Sequence, residues 1–357
     1  MRPSLLELVN CPACNGQLEV EATEVSGLEV LSGRLVCKYC GQSYPIERRM
    51  PFLYVNDERW TSKAREAQGW VDYHKKLGIY EQSEDAVDFK IPYYLEEPWI
   101  GVARHFDAAL DLMKLTGREV ILDLGAGRGW AAKYFALKGC RSVAIDVVAD
   151  EQVGLGRAWA FMEHSGTRFE PVIGDSENLP FFPKTFDVVF CAAVLHHTSD
   201  LPGLLKSVYE VLKPGGKLIA VNEPCINVHE DQQAVLKRDA AEELSFGINE
   251  SRPDYLDYLT ALENAGFTDI RIQPIDALAM NDAELEAWAM QLEAIPPKLS
   301  LAARRRLPRT FFKFLRWHLR TAGNRSLHLP HPSTRRDAII QSILVNIGAG
   351  VVIIGHK

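Results

Sequence analysis

No stretch of the 357 residues is long and clean enough in apolar side chains to cross a membrane. The longest candidate, Ala338 to Gly355, is broken by Gln341, Ser342, Asn346 and three glycines, and reads as a helix followed by a strand. Met1 to Val9 places Arg2 and Glu7 around a very short apolar run, too little for the apolar region of a secretory signal, so a cytoplasmic location is expected. Cysteine is too sparse and too unevenly placed for a disulfide framework. Of seven, Cys140, Cys191 and Cys225 stand singly among apolar neighbours, and the other four form two Cys-x-x-Cys pairs, the pattern of metal binding in a reducing compartment. Acidic residues are missing from one region: Lys298 to Arg336 holds eleven Lys or Arg and no Asp or Glu. The formal charge of −7, less the +11 of that segment, leaves −18 on the remainder. With 47% hydrophobic and 24% charged residues, the composition predicts one large core and a small satellite.

Cys11-Pro12-Ala13-Cys14 and Cys37-Lys38-Tyr39-Cys40 lie 22 residues apart. Two thiolates three positions apart on a tight turn face one ion. Two such knuckles supply the four soft ligands of a closed structural zinc site, with no open position for catalysis. Leu18 to Val36 alternates loosely around Gly27 and Gly33, as strands joined by a turn do. A segment of about 50 residues has little core of its own, so metal supplies much of its stability. With Gly16, Leu18, Gly41, Tyr44-Pro45-Ile46 and Met50-Pro51-Phe52-Leu53, these cysteines resemble the small zinc-ribbon domain that serves as an activator subunit of tRNA and rRNA methyltransferases, a domain also fused ahead of bacterial methyltransferase domains. Arg48-Arg49 stands where such fusions carry an Asp-Gly turn.

Further along, Glu119 to Leu124 is an apolar run containing Asp123, followed at once by Gly125-Ala126-Gly127-Arg128-Gly129 and a helical pattern from Trp130 to Leu137. A buried strand turning into a helix through glycines lets the backbone approach a ligand and exposes N–H groups at the helix start. The third glycine comes one residue early for a dinucleotide fingerprint. Ser142 to Val147 is the next strand, and its Asp146 stands where an acid accepts ribose hydroxyls. Strands centred on Val172-Ile173, over Phe186 to Cys191 and over Lys217 to Asn222 alternate with helices, and Asp269 to Ile275 and Gly350 to Gly355 complete the set. The expected fold is α/β, a Rossmann-like doubly wound, mostly parallel seven-stranded sheet with the small ribbon in front and a helical insertion before the last strand.

Leu122-Asp123-Leu124-Gly125-x-Gly127-x-Gly129, Gly174-Asp175-x-x-x-Leu179-Pro180-Phe181, Phe186-Asp187-Val188-Val189 and Leu212-Lys213-Pro214-Gly215-Gly216 together resemble the type-11 group of class I methyltransferases, which includes quinone-biosynthesis enzymes. The resemblance implies S-adenosylmethionine as cofactor. Asp123 with Gly125, Ala126, Gly127 and Gly129 would hold its methionine and sulfonium end, Asp146 beside Val147 the ribose, and Asp175 with Ser176 the adenine edge, over a floor that includes Cys191.

Methyl transfer is an in-line displacement that rests mainly on alignment and water exclusion, with a base where the acceptor is protonated. His197 is the first candidate base and Glu223 the second; a structural or cofactor-contact role for the His196-His197 pair is the alternative. An Asn-Pro-Pro-aromatic tetrad is missing after the fourth strand, which argues against amide or adenine nitrogen as acceptor. Trp60, Trp70, Tyr73, Tyr80, Phe89, Tyr93, Tyr94 and Trp99 either cap the cofactor pocket or pack the ribbon onto the core. Arg309, Lys313, Arg316 and Arg320 share one face of a predicted helix. That face suits a phosphate, an anionic glycan or lipid, RNA, or peripheral contact with a membrane. The expected organisation is a zinc ribbon over 1–56, an aromatic cap over 57–116, a methyltransferase core over 117–275 and 347–357, and a basic insertion over 276–346. The leading function is methylation of a small or lipid- or glycan-linked metabolite; the alternatives are a ribosomal RNA methyltransferase and a non-catalytic S-adenosylmethionine-binding scaffold.

Overall fold

The computed structural model describes residues 1–78, 89–94, 99–294 and 332–357. Two antiparallel hairpins come first: β1 (Leu18–Ser26) with β2 (Glu29–Cys37), and β3 (Ser43–Glu47) with β4 (Met50–Leu53). Helix α1 (Glu58–Lys76) follows, its first turn capped by the Asp57 carboxylate, which accepts from the Trp60 amide at 2.9 Å. After α2 (Trp99–Met113) the chain alternates through β5 (Val120–Leu124), α3 (Trp130–Leu137), β6 (Arg141–Asp146), α4 (Ala158–Ser165), β7 (Glu170–Gly174), β8 (Phe186–Ala192), α5 (Leu201–Val211) and β9 (Leu212–Ile226). Two short helices, α6 (Gln232–Asp239) and α7 (Ala241–Ser245), lead to α8 (Tyr255–Ala265) and β10 (Thr268–Pro274). Helices α9 (Asp282–Gln291) and α10 (Arg335–Asn346) precede β11 (Gly348–His356).

The sheet runs β1-β2-β3-β4-β7-β6-β5-β8-β9-β11-β10. Its last seven strands are the expected doubly wound array, parallel except for β11, which is antiparallel to both β9 and β10. The strands are buried on both faces, as parallel strands under helices must be. Leu122 and Leu124 of β5 and Val351 and Ile353 of β11 join one apolar cluster, while Ile121, Val352 and Ile354 join the opposite one beneath α2 and α3.

The ribbon is not a separate satellite. β4 pairs in parallel with β7, Phe52 opposite Ile173 and Leu53 opposite Gly174, so ribbon and core share one eleven-stranded sheet. The Arg48-Arg49 turn between β3 and β4 explains how two side chains replace a glycine-containing turn. Both residues have positive φ, 49° and 66°, a left-handed geometry that costs an L-residue energy unless its surroundings hold it. The core supplies the hold: Arg48 pairs with Glu151 at 2.8 Å, the Trp159 indole donates to the Arg48 carbonyl at 3.1 Å, and the Arg49 guanidinium lies 5.0 Å over the Trp159 ring.

The insertion is helical at both described ends, and Arg309, Lys313, Arg316 and Arg320 lie outside the described residues. Its last two cations are not uncompensated. Arg335 pairs with Glu286 at 2.7 Å and Arg336 with Asp282 at 3.2 Å, which fastens α10 to α9.

Candidate functional site

Three aspartates gather at the carboxyl ends of the adjacent strands β5, β6 and β7. Asp123 is buried, and its carboxylate accepts from the Ala132 amide of α3 at 2.9 Å. Burial with one donor raises its pKa to about 8. Asp146 accepts from Gly127 N–H at 2.7 Å on one oxygen and from Val148 N–H at 2.8 Å on the other, leaving lone pairs on both. Burial lifts it to about 6 against those bonds. Asp175, raised by burial, accepts from the Glu177 amide at 2.9 Å and meets Arg59 of α1 at 3.3 Å.

Between these acids, Gly127 has φ +54° with nothing within 4 Å of where a side chain would begin. The turn therefore offers bare backbone to open space. Gly125 differs: at φ +64° a Cβ would lie 2.6 Å from Val194 Cγ2, so its hydrogen lets the turn touch the loop after β8. Ala126 is buried, and its amide donates to the Ile145 carbonyl at 3.1 Å. Cys191 is fully buried in β8 between Leu124 and Ala220, with its thiol pushed well up by burial. Val147 and Ser176 lie beside Asp146 and Asp175, both partly exposed.

The loop after β8 carries the histidine pair. Glu223 of β9, wholly buried, accepts from the amides of Val194 at 2.8 Å, Leu195 at 3.0 Å and His196 at 3.3 Å, and bonds His196 Nδ1 at 2.8 Å. Burial opposes its charge, but His196 and these amides hold the carboxyl below its ordinary range. Glu223 thus anchors the loop. His197 Nδ1 lies 2.8 Å from the Asn249 carbonyl and so carries the proton, which leaves Nε2 as an acceptor. Burial first, then His196, depress its pKa to about 3, so the ring stays neutral. Glu250 lies 3.4 Å from His197 and is engaged by Arg252.

Helix α1 lies across this end of the sheet. Trp70 packs edge-on to His197 at 5.2 Å, whereas Trp60 stacks on Tyr54 of the ribbon at 3.5 Å, so different turns of the helix face the histidine loop and the ribbon. Tyr80 lies outside the described residues. A buried charge network, absent from the expectations, joins α1 to the site. Lys63 meets Glu66 at 3.4 Å and Glu177 at 3.0 Å, and Glu177 also accepts from Thr198 and from Ser199. Burial raises Glu177, but Lys63 and these donors win and hold it at about 2. Glu66 is pushed up to about 7 by burial despite Lys63. Charged residues at helical spacing look like a solvated face; here Glu177 meets Lys63, and the 246–249 segment packs on α1, where a Cβ on Gly69 would sit 2.3 Å from the Phe246 carbonyl.

In the ribbon, the sulfurs of Cys11, Cys14, Cys37 and Cys40 lie within 4.8 Å of one another, Cys11–Cys40 at 3.7 Å and Cys14–Cys37 at 3.5 Å. A tetrahedron with zinc–sulfur bonds of about 2.3 Å has edges of about 3.8 Å. The donor set therefore fits zinc. Gly16 makes room for it, since a Cβ there would stand 2.9 Å from the Cys37 sulfur.

Residues 122–220 match the family model described as methyltransferase domain, and residues 2–48 that of Trm112p-like protein. The chain thus joins a segment matching the Trm112-like model to one matching the methyltransferase model. The sterol 24-C-methyltransferase of Eremothecium gossypii is 30% identical over 241 residues, 65% of this chain and 62% of that protein. Its Saccharomyces cerevisiae counterpart is 28% identical over 186 residues, 52% and 47% respectively. The demethylmenaquinone methyltransferase of Thermobifida fusca is 33% identical over 103 residues, 28% of this chain and 42% of that protein. The chain accordingly spans between 47% and 62% of the two sterol enzymes. Among solved structures, Haemonchus contortus phosphoethanolamine N-methyltransferase 2 with S-adenosyl-L-methionine gives a TM-score of 0.45 at 16% identity, covering 71% of this chain and 52% of that one. A complex containing the Haloferax volcanii Trm112 methyltransferase activator gives 0.43 at 17% identity, covering 85% and 98%.

Proposed function

We propose that the protein transfers a methyl group from S-adenosylmethionine to an oxygen, nitrogen or carbon acceptor on a small or lipid- or glycan-linked metabolite. The observation that carries this reading is the open backbone at Gly127, ringed by Asp123, Asp146 and Asp175 on three neighbouring strand ends. When bound, the cofactor supplies an electrophilic methyl on a sulfonium. The Gly125–Gly129 turn and Asp123 take its amino-acid end, Asp146 uses its remaining lone pairs on the ribose hydroxyls, and the Asp175–Ser176 segment takes the adenine. Val147 and the Cys191 backbone complete the walls.

On the acceptor side, Trp70 and α1 exclude water, and His197 Nε2 receives a hydrogen bond or proton from the nucleophile. A ring pKa of about 3 makes it a weak base, so its main contribution is orientation. Glu223 acts through His196 and the loop amides as a positioning residue. The four ribbon cysteines hold structural zinc. The boundaries at 56, 116, 275 and 346 describe ribbon, cap, core and insertion. Among the described residues no helix is long and apolar enough to cross a membrane. The two Cys-x-x-Cys pairs suit a reducing compartment, and the proposed location is the cytoplasm.

Relatives named for a sterol and for demethylmenaquinone support a lipid-type acceptor. The Trm112-like ribbon favours RNA as the second reading. Transfer of radiolabelled methyl into fractionated extract separates them, with Asp123→Ala as the inactive control. Label in an organic-soluble or low-mass fraction supports the metabolite reading. Label in nuclease-sensitive polymer replaces it with RNA, and cofactor binding without label in any fraction leaves a scaffold.

A further inference from the structure

The first cysteine knuckle touches the loop assigned to the adenine. Asn178 Nδ2 donates to the carbonyl of Pro12 at 3.2 Å, and Pro12 lies between the two cysteines of that knuckle. Asn10, which is 2% exposed, donates from its side chain to the Phe181 carbonyl at 3.0 Å and from its amide to the Pro180 carbonyl at 2.9 Å. The Phe182 amide returns a bond to the Leu8 carbonyl at 2.9 Å, completing a short antiparallel bridge of Val9 with Phe181. Four hydrogen bonds thus hold residues 178–182 against residues 8–12, and apolar contacts between Leu8, Val9, Cys11, Leu179 and Phe181 seal the junction.

The knuckle's shape is set by its own bonds: Cys11 N–H to the Gly16 carbonyl at 2.9 Å, and Cys14 and Asn15 N–H to the Cys11 carbonyl at 3.3 and 2.7 Å. Within the loop, Asp175 caps the Glu177 amide and Asn178 N–H donates to the Asp175 carbonyl at 3.1 Å; Lys63 and Ser199 hold Glu177 from the opposite side.

We propose that the Cys11–Cys14 knuckle is a positioning element of the cofactor site, coupled through Asn178 and Asn10 so that filling the four-cysteine site tightens the 174–181 loop around the nucleoside. Asn178 is the adjustable link, because it is the side chain that reads the position of the Pro12 carbonyl. The inference rests on the proposed cofactor and zinc sites. It concerns how those two sites communicate rather than whether each exists.

The test uses the full chain and two readouts. Binding of S-adenosylhomocysteine is measured by calorimetry on wild type, Asn178→Ala and Asn178→Asp, each with zinc and after chelation, alongside zinc content and melting temperature. Hydrogen exchange of the 174–181 amides is followed in the same samples without nucleoside. Both variants are expected to keep one zinc and the wild-type melting temperature while binding about five- to tenfold more weakly, the value of one lost hydrogen bond at a ligand loop. Chelation should weaken wild type by a larger factor than either variant, and speed exchange at 174–181 in wild type more than in the variants. Equal chelation factors in wild type and variants, or unchanged exchange at 174–181, overturns the coupling. Wild type that takes up zinc yet binds no S-adenosylhomocysteine overturns the cofactor reading instead, and the exchange data still decide whether knuckle and loop are linked.

Discussion

The ribbon and the core belong to one sheet but bury it differently. In the core, strands such as β5 and β8 are buried on both faces. In the ribbon, β3 alternates, with Tyr44 and Ile46 buried and their neighbours exposed, and β1 has one buried residue, Leu18, followed by a largely exposed run, so one apolar face and four converging sulfurs take the place of two apolar faces. A ladder covered on one face depends more on whatever gathers its cysteines. Each half should therefore fail in its own way.

Cys37→Ser is the strongest way to break the comparison. Structural zinc contributes about 10 to 16 kcal/mol in small domains, more than any single apolar truncation removes. Bound zinc should fall to zero and the β1–β2 amides should exchange freely, whereas β5, β8 and β9 stay protected. Next comes Leu122→Ala, which empties a wholly buried position in the core. A loss of about 2 to 5 kcal/mol in urea unfolding is expected, with zinc content unchanged. Loss of zinc in that variant would mean that the two halves unfold as one unit.

Gly125→Ala acts at the site rather than on either half. Its positive φ and the clash with Val194 should cost about 1 to 3 kcal/mol and shift the histidine loop, with S-adenosylhomocysteine binding at least tenfold weaker by calorimetry. The smallest expected effect is that of pH. With Asp146 raised to about 6, the free protein keeps that proton at pH 5 and loses it as pH rises through about 6. A ribose acceptor must be ionised, so affinity should rise about tenfold from pH 5 to pH 7 and then level off, and Asp146→Asn should flatten the profile. The fold senses the opposite sign: a raised carboxyl favours the native state below the ordinary carboxylate range, and that contribution is lost as pH rises through about 6.

The core was legible because its pattern is local. An apolar run, an acid and a glycine turn locate β5 to within one residue and the start of α3 to the residue, and the spacing of Asp123, Asp146 and Asp175 follows from one strand–helix unit each. The pairing of β4 with β7 was not legible, because nothing within either short segment encodes which distant edge it meets. Lys63 and Glu66 were missed for a related reason: their partners and cover come from segments distant in the chain, Glu177 beside Lys63 and residues 246–249 packed on α1. Glu223 was noticed as an acid near the strand ends, but only the structure reveals its oxygens turned into the loop amides.

Strand addition by β4 also changes what the molecule shows to its neighbours in solution. Without it, β7 would end the sheet, offering the unpaired backbone of Pro171-Val172-Ile173 to any passing strand. With it, the border on that side moves to β1, a strand whose run from Glu19 to Ser26 is largely exposed and carries Glu19, Glu21 and Glu24, charged side chains of the kind that discourage edge-to-edge pairing. A chain trimmed to the core should therefore aggregate more readily than the full chain.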